Sequence, residues 1–213
     1  MDPYVDDVSI TTASPSIKKN VRRLEQEARK IFQLAEHNQI AFDLAKTELM
    51  HWNTSHDAIS ASIKLPNNET IMPKSSVKWL GIYFDPSLSI KHHVATKVAK
   101  ARGVFHRMAR LANIGRGLTP FALRQLYTAC VTSIADYGSV IWWRGQQQFI
   151  KLLQSLQNMA IRKILGVFRT APILPMEVES ATPPPKIRLN HSNRMYAFRM
   201  LKLSPDHPIN KAT

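Results

Sequence analysis

Cysteine is almost absent from this chain of 213 residues: Cys130 stands alone. One thiol cannot form an internal disulfide, and no multi-cysteine zinc site can be assembled from it. Long apolar runs are missing as well, so no transmembrane helix is expected. The first residues carry acids where a secretory leader needs a basic stretch. Together these absences imply an intracellular protein with no membrane partner. There is no internal repeat and no low-complexity tract. With 44% hydrophobic and 21% charged residues, the composition is that of a folded protein rather than a disordered one.

Acids are also scarce, but only in one part of the chain. Residues 1–90 hold 10 of the 29 Lys and Arg and 11 of the 15 Asp and Glu, so residues 91–213 hold the other 19 and 4. The whole formal charge of +14 therefore comes from the second part. A basic module beside a near-neutral one favours a polyanionic partner, nucleic acid first.

Residue patterning divides the chain at a similar place. "PYVDDVSITT" reads as strand, two-acid turn and strand, because β-branched residues flank Asp6 and Asp7. Ser14-Pro15-Ser16 opens a helix that runs to about His37, with Val21, Leu24, Ala28, Ile31 and Leu34 on one face. Residues 40–52 read as a strand with a break near Asp43. Residues 58–84 read as a small β-meander with a turn at Pro66-Asn67-Asn68. From Ser89 the period becomes helical. Val94, Val98, Ala101, Phe105, Met108 and Ala112 form one face, and Lys97, Lys100, Arg107 and Arg110 form the opposite ridge. Thr119-Pro120 starts a second helix reaching about Trp142, with Gly138 as its weak point, and residues 146–165 form a third, stopped by Gly166. A short helix near 175–180, a linker at Thr182 to Pro185 and a last amphipathic helix complete the pattern. The expected fold class is α+β: a β-hairpin and small meander followed by a mainly helical bundle.

Two side-by-side carboxylates on a tight turn suit hard cations with oxygen ligands, the arrangement that two-metal phosphoryl transfer needs. Tyr4-Val5-Asp6-Asp7 fits that need, although the tetrapeptide alone is a weak signal, since a polar turn near a chain end looks the same. His92 and His93 have no partner at ligand spacing, so a metal site there is rejected. Trp142 and Trp143 could offer stacking surfaces, but buried aromatics at a helix end explain them better.

The order of these pieces resembles the C-terminal part of the reverse transcriptase of non-LTR (LINE-like) retrotransposons. Tyr4-Val5-Asp6-Asp7 is similar to the metal-binding hairpin of the palm. Lys46-Thr47-Glu48 resembles the core of the next palm motif, and Trp79-Leu80-Gly81 resembles the centre of the primer-grip hairpin. "LRQLYTACVTSIADYGSVIWW" and "LQNMAIRKILGVFRTAP" are similar to the helical region that follows. The match spans residues 4 to about 209, which makes it far more specific than the tetrapeptide.

The resemblance implies a division into a partial palm (1–57), a primer-grip segment (58–88), a helical thumb (89–170) and a C-terminal linker, helix and tail (171–213). It implies that Asp6 and Asp7 bind Mg2+, with Tyr4 supporting the turn, and that Lys46 sits near the incoming triphosphate as a proton donor. Trp79, Leu80 and Gly81 would hold the primer, and Lys97, Lys100, Arg107 and Arg110 would face the template–primer duplex. The partners implied are an RNA template, a DNA primer, and the palm and fingers that precede Y-x-D-D in the family order; a nuclear location follows from the same resemblance. Only three residues precede Tyr4, so a third metal acid and the fingers are expected to be missing and this chain is expected not to polymerise alone. The rival expectations are a non-catalytic basic nucleic-acid-binding module and a decayed remnant of a mobile element.

Overall fold

A computed structural model describes residues 2–4, 7–53, 60–111, 117–204 and 206–207; the side chains of residues 2–4 and 7 lie outside the description. The chain divides into two compact units, Met1–Ile90 and Lys91–Thr213. The fold is α+β, with small antiparallel strand pairs in the first unit and helices throughout the second.

In the first unit, β1 (Asp2–Tyr4) pairs with β2 (Asp7–Ser9). Helix α1 (Ile17–His37) begins two residues after Pro15, with Ser16 at its N-cap. It ends in a Schellman arrangement: Gln39 takes φ 56°, the Ile40 N–H reaches the Ala35 carbonyl at 2.8 Å, and the Gln39 N–H reaches Glu36 at 3.2 Å. The buried face is Ala28, Ile31 and Ala35, with Val21 and Leu24 beside it, while Leu34 is exposed, against the expected stripe. Ala35 takes that place because, at 100° per residue, it falls at the centre of the face set by Val21, Leu24, Ala28 and Ile31, whereas Leu34 falls about 100° to one side.

The strand expected over residues 40–52 is not there. Leu44–Lys46 forms a 3-10 turn closed by the Lys46–Asp43 ion pair at 2.9 Å, and only Leu49 bridges to another segment, at Pro73. Apolar spacing in that stretch serves point contacts instead: Leu44 and Leu49 pack into a cluster with Ala28, Ile63 and Leu65, and Phe42 lies 5.8 Å from Phe32. The meander resolves into two separate hairpins. One pairs β3 (Ile63–Lys64) with β4 (Thr70–Ile71), the other β5 (Val77–Trp79) with β6 (Ile82–Phe84). The first turns at Pro66-Asn67-Asn68 as expected, with Asn68 at φ 67° and Leu65 N–H bonded to Glu69 O at 2.9 Å.

In the second unit, α2 (Lys91–Ala109) buries Val94, Val98, Ala101, Phe105 and Met108 as the period demands, but it stops at Ala109, short of the expected end; Ala112 lies outside the described residues. Thr119 caps α3 (Pro120–Leu126), its Oγ1 accepting from the Ala122 N–H at 3.2 Å, with Pro120 at the first helical position. The single helix expected to Trp142 is then interrupted twice. A π-helical segment, Tyr127–Thr132, runs into α4 (Ser133–Ala135), and Gly138, at φ 68°, separates α5 (Ser139–Trp142). The hydroxyls of Thr132 and Ser133 bond the carbonyls of Thr128 and Ala129 at 2.5 and 2.6 Å, drawing oxygen away from the regular helical ladder. α6 (Gln147–Leu165) ends at Gly166, α7 spans Ile173–Glu179, and α8 spans Pro185–Leu201. The Pro-rich segment is thus not all linker, since buried Pro185 is the first residue of α8, where its missing N–H costs no helical bond.

α2 packs on the π segment, α4 and α6; α8 packs on α5 and α6. Edge-on aromatic pairs, Phe105 with Tyr127 and Trp142 with Phe149, fill the centre. Among the described residues no helix is long and apolar enough to cross a membrane.

Candidate nucleic-acid interface

The register Tyr4↔Asp7 leaves Val5 and Asp6 as the connection between β1 and β2. Val5 and Asp6 lie outside the described residues, as do the side chains of Tyr4 and Asp7. A hairpin at this point is what the apolar flanks of the two acids require. Among the described residues, which exclude Asp6 and the Asp7 side chain, no three His, Cys, Asp or Glu gather into a metal-binding group. The carboxylates of Asp6 and Asp7 have the donor chemistry that suits a hard divalent ion.

Lys46 is exposed and held by Asp43; the hydrogen bond and charge of that carboxylate raise the Lys46 pKa and lower that of Asp43. Its neighbour Glu48 pairs with Lys74 at 2.7 Å, and the Lys74 N–H bonds the Leu49 carbonyl, tying this stretch to the residues before β5. Trp79, Leu80 and Gly81 form the tip of the second hairpin. Trp79 pairs with Ile82, and Leu80 and Gly81 both take positive φ, 46° and 78°, the geometry of a type I′ turn. Gly81 accepts that conformation freely; for Leu80 it is strained. Trp79 is 37% exposed, so it is no core anchor.

The hairpin is followed by an ordered loop that sequence reasoning missed. Asp85 accepts from the Ser87 and Ser89 hydroxyls at 2.5 and 3.0 Å and from the N–H groups of Ser89 and Ile90 at 3.0 and 2.9 Å. Burial works to raise its pKa, but these hydrogen bonds outweigh it and hold the carboxyl at about 2. The Asp-Pro-Ser sequence, a turn signature just before a helical period, was the available signal.

On α2, Lys100 and Arg107 are exposed, about 10 Å apart along the axis by helical rise. Arg110 is exposed in the turn just past the helix end. Lys97 stands apart from this group. It is half-buried, with Nζ 4.0 Å from the centre of the Tyr137 ring. The Tyr137 carbonyl also accepts from Trp142 Nε1 at 3.0 Å and lies 3.1 Å from Nε2 of the fully buried His93. Burial, with help from the charges of Lys97 and His92, lowers the His93 pKa against the opposing pull of that carbonyl, so the ring is neutral and donates from Nε2. Trp142 and Trp143 are both buried, and His93 serves packing.

The helical unit also holds a largely buried polar network. Arg188 on α8 forks onto Asp136, donating from Nε to Oδ2 and from Nη2 to Oδ1, and reaches Gln157 Oε1 from Nη1 at 2.8 Å. Gln157 Nε2 donates to Glu177 Oε1 and to the Pro183 carbonyl, both at 3.1 Å, and Gln154 reaches the same Glu177 oxygen at 2.8 Å. Burial pushes the adjoining Tyr127 hydroxyl up to about 12, against the lowering charge of Arg188. The only hint in the sequence was Gln157, a polar residue on the apolar stripe of α6 between Leu153, Leu156 and Ile161.

The chain is similar in sequence to proteins of non-LTR retrotransposons. The particular relatives are retrotransposon proteins of insects. The chain is 25% identical over 111 residues to a putative 115 kDa protein in type-1 retrotransposable element R1DM of Drosophila melanogaster, covering 51% of this chain and 11% of that protein. It is 26% identical over 131 residues to a retrovirus-related Pol polyprotein from type-1 retrotransposable element R1 4 of Nasonia vitripennis, covering 62% and 33%. It is 31% identical over 90 residues to a probable RNA-directed DNA polymerase from transposon BS of Drosophila melanogaster, covering 42% and 10%. The matched part is thus between a tenth and a third of each relative's length. No protein-family model matches the chain, and no solved structure matches it.

Proposed function

We propose that this chain supplies the Y-x-D-D edge of the palm, the primer-grip hairpin and the thumb of an RNA-directed DNA polymerase of a mobile element. On this reading the palm edge runs to residue 57, the primer grip covers 58–88, the thumb covers 89–170, and 171–213 follow as its C-terminal extension. Asp6 and Asp7 are two of the metal ligands. When bound, Mg2+ supplies charge stabilisation to the oxygens of the transferring phosphoryl group. Lys46 lies near the triphosphate once freed from Asp43, and the Trp79-Leu80-Gly81 tip holds the primer end. Of the four cations expected to face the template–primer duplex, Lys100, Arg107 and Arg110 lie along it, where they fix position without reading sequence, while Lys97 is held by Tyr137. The substrates are an RNA template and a DNA primer, the remaining palm and fingers belong to the same polymerase, and the site of action is the nucleus.

The observation that carries this reading is the unopposed charge of α2. Lys100, Arg107 and Arg110 are exposed in a unit that holds only four acids, two of which, Asp136 and Glu177, are committed to internal hydrogen bonds. Duplex affinity of the 213-residue chain, measured across salt concentrations, tests it. Replacing Lys100, Arg107 and Arg110 together by Gln lowers the slope of log K against log salt by about 2–3, near 0.9 per phosphate contact. An unchanged slope refutes the thumb assignment. The same preparation is expected to extend no primer. Extension that Asp6→Asn abolishes would overturn that part.

A further inference from the structure

α8 presents a surface to which the resemblance assigns no role. Its first half is pinned: Leu189 is buried, Arg188 sits in the internal network, and Asn190 and Asn193 hold Trp143 at 2.7 and 3.2 Å. Its second half is uncovered. Met195, Tyr196, Phe198 and Leu201 are exposed, Leu201 at 81%, alongside Arg194, Arg199 and Lys202. From Pro185 to Leu201 there is not one acid.

The arrangement of these side chains decides what they fit. At about 100° per residue, Arg194, Phe198, Leu201 and Lys202 share one outward arc, so cationic and apolar groups are interleaved rather than segregated. A helix lying in a membrane interface needs a polar face and an apolar face kept apart. A helix docking in a protein groove needs an unbroken apolar stripe. This one has neither. Cations beside aromatic rings, with no opposing acid, match a flexible polyanion whose flat groups are free to stack.

We infer that the exposed arc of α8 binds single-stranded nucleic acid, with Phe198 stacking on an unpaired base and Arg194 and Lys202 holding the backbone. Duplexes keep their bases stacked and offer the ring nothing, so the surface selects single strands. It is separate from the α2 ridge, and its failure leaves the duplex reading untouched.

The test uses the 213-residue chain, a fluorescently labelled single-stranded RNA of mixed sequence, and anisotropy titration, with a duplex measured in parallel. Phe198→Ala weakens binding of the single strand by about fivefold or more, the worth of one stacked base or better, and leaves duplex binding unchanged. Phe198→Leu keeps apolar bulk and removes the ring, so it weakens the single strand as Phe198→Ala does, whereas Phe198→Tyr restores binding. The substituted side chain is exposed, so thermal unfolding followed by circular dichroism stays that of the parent. Single-strand affinity that survives loss of the Phe198 ring overturns the inference in favour of charge alone. Full affinity in Phe198→Leu overturns stacking. Phe198-dependent capture of phosphatidylserine vesicles, or a dimer that Phe198→Ala dissolves, with single-strand affinity unmoved, overturns it in favour of a membrane or a second copy.

Discussion

Removing the guanidinium of Arg188 should be the most damaging single change in the helical unit. Arg188→Met keeps most of the aliphatic stem, so the loss is electrostatic. The Arg188 and Asp136 side chains are only 17% and 14% exposed. Without its counterion Asp136 keeps a charge in that setting, and Gln157, fully buried, loses the donor to its Oε1. Breaking a buried pair by deleting one partner costs about 3–5 kcal/mol. Because both side chains keep some solvent contact, about 3 kcal/mol is the better figure. Burial alone would lower the Arg188 pKa, yet the hydrogen bond and charge of Asp136 raise it, so the pair favours ionisation despite its burial. Domains of this size are stable by roughly 5–15 kcal/mol, so the loss is readily measured.

Urea unfolding at neutral pH, followed by tryptophan fluorescence, reads this unit with little interference. Trp142 and Trp143 are buried in it, whereas Trp52 and Trp79 of the first unit are already exposed. The double variant Asp136→Asn with Arg188→Met is the control, since it removes the stranded charge and should return roughly half or more of the loss. A single variant within about 1 kcal/mol of the parent would show that the network is a surface feature of no consequence. A double variant worse than the single would show that packing, not charge, was lost.

Three further outcomes follow from the geometry. The His93 pKa is lowered on folding, so the unfolded state binds the extra proton; stability is full above about pH 6.5 and falls as pH drops below it, a slope that His93→Gln should flatten in urea melts at stepped pH. Asp85, held at about 2 against the ordinary 3.8 of a free carboxyl, stabilises its loop above about pH 4 and loses that contribution as pH falls toward 2; Asp85→Ala should cost about 1 kcal/mol at neutral pH after allowing for solvent screening, read as a lower melting temperature of the first unit. Leu80→Asn should stabilise that unit by about 1 kcal/mol, because Asn tolerates the φ of 46° that Leu80 holds under strain; a loss of stability would mean that the Leu80 side chain is packed usefully.

Periodicity made the long helices legible, because α1, α2 and α6 each bury one stripe and the stripe is written in the residues. Local chemistry made some boundaries legible too: Thr119-Pro120 for a start, Gly166 for a stop, Pro66-Asn67-Asn68 for a turn. What failed were elements decided by which of several partners, near or far in sequence, a residue takes. Residues 40–52 have strand-like composition, but no neighbour offers them a ladder, and the Asp43–Lys46 pair closes a turn instead. The π segment depends on Thr132 and Ser133 bonding backwards, a choice that propensity does not distinguish from an ordinary helix. Asp136 and Arg188 are 52 residues apart, and nothing local to either announces the other. The ridge on α2 was readable as a face, but not that Lys97 leaves it for Tyr137.

The network and the basic surface are two consequences of one distribution of charge. With only four acids after residue 90, each acid placed inside is one fewer to neutralise the outside. Asp136 answers the single buried arginine of α8, and Glu177 accepts from Gln154 and Gln157, so neither tempers the field around Lys100, Arg107 or the end of α8. Internal pairs of this kind are little screened by salt, whereas exposed cations are strongly screened. Stability and polyanion binding therefore draw on separate charges. The unit can carry a surface charge that repels itself because its own cohesion does not depend on that surface being neutral.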